Sequence, residues 1–289
     1  MKILRTRQEL RETVDALQGQ RIGLVPTMGF LHEGHLTLMR RAREENEVVI
    51  VSVFVNPTQF GPNEDLDRYP RDPEGDIQRC ESVGVDYLWM PDSPAEVYPE
   101  GYATSVHVRG LTDGLCGASR PGHFDGVTSV VSKLLNSTRA HRAYFGEKDF
   151  QQLAVIRRMV ADLDMNVEII GVPTVRDADG LALSSRNKYL SAQDRQDGLL
   201  LSEGLERARQ AWQAGERDAQ KLEALIRATI ERAEGNRVDY VDLVDEGHLR
   251  PLRETPSASP VAILAVRVGA TRLIDNARLT QSRPIRTIS

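Results

Sequence analysis

A chain of 289 residues, 40% hydrophobic and 27% charged, holds enough apolar material for one large core or two ordinary ones, and no segment is polar enough to read as disordered. The net charge of -5 argues against bulk electrostatic binding to nucleic acid or an anionic membrane, while leaving room for a local cationic pocket. Cys80 and Cys116, outside any C-x-x-C pattern, read as reduced thiols, and no apolar leader follows Met1-Lys2-Ile3-Leu4-Arg5, so a cytoplasmic protein is expected.

Along the first half, apolar runs at 22–25, 48–55, 87–90, 143–145 and 167–172 alternate with helical candidates near 9–17, 35–45, 74–83, 127–135 and 149–163. Near-continuous β-branched strands separated by amphipathic helices predict a Rossmann-like α/β fold, a parallel sheet with helices on both faces. Ligands of such sheets sit beyond the C-terminal strand ends at the topological switch point. After about residue 186 the character changes. Residues 191–235 are almost all helix-forming, and apolar runs follow at 238–244, 261–268 and 273–274, with a Pro/Ser/Thr-rich stretch at 255–260 between the first two. This pattern predicts a smaller C-terminal α+β domain over 176–289, after a first domain over 1–175.

Four loops at predicted strand ends carry the candidate chemistry. The first is Pro26-Thr27-Met28-Gly29-Phe30-Leu31-His32-Glu33-Gly34-His35, where two imidazoles meet the backbone N–H groups of a helix start, a place that favours anions. Zinc ligation by His32 and His35, although the spacing is not H-E-x-x-H, and a plain polar loop stay open as readings of this segment alone. The second, Asn56-Pro57-Thr58-Gln59-Phe60-Gly61, offers amides suited to hydroxyls and a carboxylate, yet reads equally as a turn. In the third, Phe145-Gly146-Glu147-Lys148-Asp149-Phe150-Gln151-Gln152, Lys148 can reach phosphates, while Asp149 either caps the helix or binds a ribose hydroxyl. The fourth, Gly180-Leu181-Ala182-Leu183-Ser184-Ser185-Arg186-Asn187, sets hydroxyls beside a guanidinium. Together these groups suit attack of a carboxylate on a nucleoside triphosphate, where cations and fixed donors cancel the repulsion between anions. A covalent route has no support: G-x-S-x-G is absent, and Cys116 has no base beside it in sequence.

The segments PTMGFLHEGH, FVNPTQF, RYPRD, SRPGHFDGV, FGEKDFQQ and GLALSSRN, in this order, resemble the pantothenate synthetase (pantoate–β-alanine ligase) family within the H-x-G-H nucleotidylyltransferases. H-x-G-H alone is shared by many enzymes, whereas FGEKDFQQ with GLALSSRN is far more specific. The resemblance implies an ATP-binding stretch formed by Met28, Gly29, Phe30, Leu31, His32, Glu33, Gly34 and His35, with His35 as proton donor to the phosphates. It implies further ATP contacts from Gly146, Glu147, Lys148 and Asp149, then from Leu183, Ser184, Ser185 and Arg186, with Val175 at the adenine. His32, Lys148 and Arg186 join His35 as catalytic groups. Gln59 and Gln152 match the residues holding pantoate, Gln59 also lies at the β-alanine position, and Asn56 and Tyr69 match pocket positions. The implied reaction has two steps: pantoate attacks ATP, with magnesium, to give pantoyl adenylate and pyrophosphate, and the amine of β-alanine then displaces AMP. The C-terminal domain resembles a lid over that water-labile anhydride, and the resemblance implies a homodimer, the usual state of the family. No metal ligands are assigned, and Cys116 stands where some members have glutamate, so no role is carried onto it. A rival H-x-G-H activity, AMP transfer to a phosphorylated acceptor, fits less well, because a phosphate would favour another cation where Gln59 and Gln152 stand.

Overall fold

The computed structural model describes residues 1–62, 64–252 and 259–281; residues 253–258, which take in most of the Pro/Ser/Thr-rich stretch, lie outside the described residues. In chain order the elements are β1 (Lys2–Leu4), α1 (Arg7–Ala16), β2 (Ile22–Thr27), α2 (Glu33–Glu45), β3 (Val48–Val53), α3 (Pro73–Ser82), β4 (Tyr87–Trp89), α4 (Cys116–Ser119), α5 (His123–Thr138), β5 (Arg142–Gly146), α6 (Phe150–Asp162), β6 (Glu168–Val172), α7 (Ala192–Gln213), α8 (Ala219–Ile230), β7 (Asn236–Asp245), β8 (Pro260–Val268) and β9 (Thr271–Arg278). Short 3-10 turns occupy Pro57–Gln59, Pro94–Glu96, Glu147–Asp149 and Ser185–Tyr189. Two compact units result: Met1–Glu147 with Val155–Val172, and Lys148–Ala154 with the described residues of Pro173–Ser289. This division differs from a single cut after residue 175 mainly in that the segment from Lys148 to Ala154, which includes the first residues of α6, groups with the second unit.

The first unit is built on a six-stranded sheet in the order β1-β4-β3-β2-β5-β6, with every pairing parallel. Parallel strands buried on both faces need apolar side chains at successive positions, and β3, Val-Val-Ile-Val-Ser-Val, meets that demand. Val25, Val49 and Val51 pack with Leu38, Met39 and Ala42 of α2 and Cys80 of α3. Their neighbours Leu24 and Ile50 point the other way, as the two-residue period requires, and are fully buried there; α5 packs against β2. Strand order reverses between β2 and β5, which makes their C-terminal ends the switch point.

In the second unit, β7, β8 and β9 form an antiparallel sheet with β8 in the centre, so β8 is buried at nearly every position. Leu201, Leu205 and Trp212 of α7 and Leu222, Ile226 and Ile230 of α8 cover one face, against Leu243, Leu264 and Val266. The helical region 191–235 is two helices because Gly215 takes a left-handed φ of 106° and Asp218 caps α8 by accepting from the Gln220 and Lys221 N–H groups. No helix among the described residues is long and apolar enough to cross a membrane.

Candidate active site

In the first unit the chain leaves β2 at Thr27, whose hydroxyl donates to the Ser52 carbonyl (2.8 Å) and accepts from Gly29 N–H (3.2 Å). It then turns through two left-handed residues, Gly29 (φ 80°) and Phe30 (φ 50°). A side chain enforces that turn. The Asp76 carboxylate, 2% exposed, accepts from Phe30 N–H (2.9 Å) and Leu31 N–H (2.7 Å). Burial pushes this carboxyl above the usual range, against the pull of the two N–H donors. A Cβ on Gly29 would lie 2.8 Å from Asp76 Oδ2, so glycine is required there by space as well as by φ.

The turn delivers His32 as the N-cap of α2. The His32 N–H donates to His35 Nδ1 (3.3 Å), and the two rings lie 4.1 Å apart at 35°. A ring whose Nδ1 accepts carries its proton on Nε2, so His35 is set as an Nε2–H donor. Helical bonds begin with the His35 and Leu36 N–H groups, both donating to the His32 carbonyl. The N–H groups of Glu33 and Gly34 thus fall in the first turn, whose dipole end favours anions. Met28, Phe30, Glu33 and Gly34 are partly exposed around this turn, and Leu31 is buried.

Gln59 sits in the turn after β3, 8% exposed. Asn56, only 1% exposed, donates from Nδ2 to Gln59 Oε1 (3.0 Å) and to the Gly126 carbonyl (3.1 Å), while its Oδ1 accepts from Thr58 Oγ1 (2.9 Å) and Tyr98 Oη (2.8 Å). Because the Gly126 carbonyl can only accept, Asn56 has a fixed orientation, and Gln59 must meet it with its oxygen. The Nε2 end of Gln59 therefore lies on the Met28 side, 3.2 Å from its sulfur. Both Asn56 N–H groups are engaged inside the protein, so the amide presented by this pair is that of Gln59. His123 supports the same turn: Nδ1 donates to the Gln59 carbonyl (2.8 Å), and Nε2 accepts from Arg120 (3.0 Å). Arg120 in turn binds both carboxylate oxygens of Glu64. Burial would raise the Glu64 carboxyl, but the guanidinium outweighs it and holds the group below its ordinary range. Tyr69 is buried edge-on to Phe60. Gly146 ends β5, the strand next to β2, and Glu147 opens the 3-10 turn that follows.

In the second unit Lys148 is partly buried, with Nζ 3.8 Å from Asp149 and its carbonyl accepting from Asn276 Nδ2 (2.9 Å). Gln152 is half-buried in the first turn of α6. Val175 and Leu183 are brought together by a Leu183 N–H bond to the Val175 carbonyl (3.0 Å) within a small hairpin closed by the Arg176–Ala182 bridge. Ser184 caps the following turn by accepting from Arg186 N–H (3.3 Å), with Ser185 buried. His123 touches these segments from within SRPGHFDGV, whereas no sequence motif announces Asp76 and Asn276. Their partners are backbone groups far along the chain, which leave no local spacing signal.

The family profile described as Pantoate-beta-alanine ligase matches residues 2–278. A pantothenate synthetase of Heliobacterium modesticaldum is 57% identical over 261 residues, 90% of this chain and 92% of its own. One of Pelotomaculum thermopropionicum is 53% identical over 283 residues, 97% of this chain and 100% of its own. Among solved structures, the pantothenate synthetase of Thermus thermophilus superposes with a TM-score of 0.93 at 47% identity, covering 97% of this chain and 100% of that one. The pantoate-β-alanine ligase of Francisella tularensis, complexed with β-γ ATP and β-alanine, gives 0.80 at 37%, covering 98% and 99%.

Proposed function

Since this chain belongs to the pantoate–β-alanine ligase family and is an ATP-dependent ligase of those two substrates, we propose that its reaction runs through a pantoyl adenylate, with the residues above in separate roles. The reading rests chiefly on the start of α2, where His35 is set as an Nε2–H donor beside first-turn N–H groups at the switch point of a parallel sheet. Met28 to His35 cradle the nucleotide, and His35, with His32, donates to its phosphates. Lys148 and Arg186 neutralise charge on the leaving pyrophosphate, assisted by Ser184 and Ser185, while Gly146, Glu147, Asp149 and Leu183 line the nucleotide and Val175 meets the adenine. Gln59 and Gln152 hold pantoate through its hydroxyls and carboxylate, and Gln59 also meets β-alanine. Asn56 acts by turning the Gln59 amide.

In the first step a pantoate carboxylate oxygen bonds to the α-phosphorus as the bond to the β-bridging oxygen breaks, and pyrophosphate leaves. Fixed cations and donors offset the repulsion between the two anions without reorganising. In the second step the neutral amine of β-alanine attacks the acyl carbon, the acyl–oxygen bond to AMP breaks, and the amine proton is released. Magnesium enters with the nucleotide as MgATP, consistent with a hard cation that prefers phosphate oxygens and retained waters. A cytoplasmic location, where ATP is supplied, and a homodimer complete the reading; sedimentation at twice the chain mass is the expected result for the latter.

Isotope exchange tests the intermediate. Labelled pyrophosphate should enter ATP when pantoate is present and β-alanine is absent. Exchange that instead needs a phosphorylated acceptor would replace the ligase with an adenylyltransferase.

A further inference from the structure

Two segments assigned above to ATP, the turn at Lys148 and the run from Leu183 to Arg186, are far apart in sequence but belong to the same unit, and both are tied to adjacent residues of β9. Asp275, 3% exposed, receives Nη1 (2.6 Å) and Nη2 (2.7 Å) of Arg176, itself 1% exposed. Arg176 also donates to the Gly180 carbonyl (3.2 Å), and its backbone bridges to Ala182, so the ion pair grips the hairpin from which residues 183–186 emerge. The next residue, Asn276, is 8% exposed and donates from Nδ2 to the Lys148 carbonyl (2.9 Å). Successive side chains of a strand point to opposite faces. Asp275 pairs across with Leu264, on the face that α7 and α8 cover, and Asn276 with Ile263 on the other. Arg278, two residues on and so on the Asn276 face, lies with its guanidinium 5.1 Å from the Phe150 ring, next to the Lys148 turn. A further bond, from Asn276 N–H to Asp275 Oδ1 (2.8 Å), couples the two anchors.

We propose that Asp275 and Asn276 are positioning residues that set the Lys148 turn and the Ser184–Ser185–Arg186 segment in register with each other from the two faces of one strand. Neither residue touches a reacting atom; each acts through the backbone that carries one of the assigned cations. A buried, bidentate ion pair is weak evidence for stability, because a well-packed apolar pair commonly replaces one without loss. What an apolar pair lacks is direction: the fork of Arg176 fixes the hairpin in rotation as well as in place. The inference rests on the ATP assignments above.

The experiment compares the full-length protein with Asn276→Ala and with the double variant Arg176→Met/Asp275→Leu, which puts an apolar pair in place of the ion pair and removes both charges. Thermal midpoint, KM for ATP, KM for pantoate and the pyrophosphate-exchange rate are measured for each. Expected for Asn276→Ala is a folded protein whose exchange rate falls, or whose KM for ATP rises, by about tenfold, as one misplaced contact commonly costs, with KM for pantoate within twofold. The double variant should match or exceed the parent in thermal midpoint and still lose about tenfold in exchange. Parent-like exchange and KM for ATP in both folded variants would overturn the proposal, as would equal losses in KM for ATP and pantoate. If Asn276→Ala does not fold, the double variant decides alone: loss of exchange at undiminished midpoint supports the proposal, and any other result overturns it. Failure of the underlying reading shows separately, as absence of pantoate-dependent exchange in the unmodified protein.

Discussion

The Asp76 carboxylate takes two backbone N–H groups that no side chain of another shape can satisfy together. Asparagine keeps one acceptor but turns an N–H₂ toward the second donor, so Asp76→Asn should cost about 1–3 kcal/mol, the usual penalty of a buried donor left unpaired. The damage should extend to function, because the turn through Gly29 and Phe30 aims His32 and His35. Denaturant unfolding and pyrophosphate exchange check the two effects; a stable variant with full exchange would remove Asp76 from the site. Replacing His35 by alanine should slow adenylate formation by about two orders of magnitude or more, as loss of one positioned donor does elsewhere, and near-normal single-turnover formation would rule out its role. Glu64 gives the pH test. Its folded carboxyl lies below the ordinary value, so it contributes stability above the unfolded pKa and loses it as pH falls through the folded one. The stability difference between parent and Glu64→Gln should therefore be flat at neutral pH and shrink below about pH 4.5. At this scale the sequence shows His32, His35, Gln59 and Lys148 through motif spacing. It hides Asp76, which reads as an ordinary first-turn acid behind the Asp72-Pro73 start of α3.

Helix α5 carries the next level of the argument. Its apolar periodicity predicts a helix over 127–135, yet it runs from His123 to Thr138, and the extra first turn is the part that serves the site. Gly126 is there because a Cβ would stand 2.4 Å from the Thr58 carbonyl oxygen and 2.6 Å from Gln59 N. His123 and Gly126 interrupt the hydrophobic pattern because they meet the Gln59 turn, and Asp125 breaks it further by pairing with His107. Gly126→Ala is expected to push the Gln59 turn outward, with a stability loss of about 1–3 kcal/mol from overpacking and a raised KM for pantoate at nearly unchanged KM for ATP. Equal changes in both would mean that the helix supports the unit in general and not the turn in particular. Strand β9 repeats the lesson: only 273–274 is apolar in sequence, because Arg272, Asp275, Asn276 and Arg278 are committed to partners, and antiparallel pairing to β8 alone reveals its full span from Thr271 to Arg278.

For the whole molecule, alternating strands and helices make a parallel sheet legible, but not the strand order. Three-residue β1 has too few side chains to show a period, and nothing local says that it pairs with β4. Yet the order decides where chemistry can occur, since it sets the ends of β2 and β5 side by side. A chain of net charge -5 that works on two anionic substrates cannot rely on its overall field, and must concentrate local donors and cations. Such concentrated groups have a second consequence for an acyl adenylate. Groups that speed adenylate formation leave a mixed anhydride whose AMP is a good leaving group for any nucleophile, water included, so the ligase gains from its chemistry only if water is kept from the acyl carbon. With ATP and pantoate alone, acid quench should then yield AMP at up to about one equivalent per chain in a fast phase. Steady release should follow at least about a hundredfold slower than with β-alanine, a ratio equivalent to about 2.7 kcal/mol of barrier. Quench-flow with labelled ATP reads both phases. Rapid, continuous AMP release without β-alanine would mean that the intermediate is exposed, and the closing of the site over it would have to be abandoned while the adenylate itself stood.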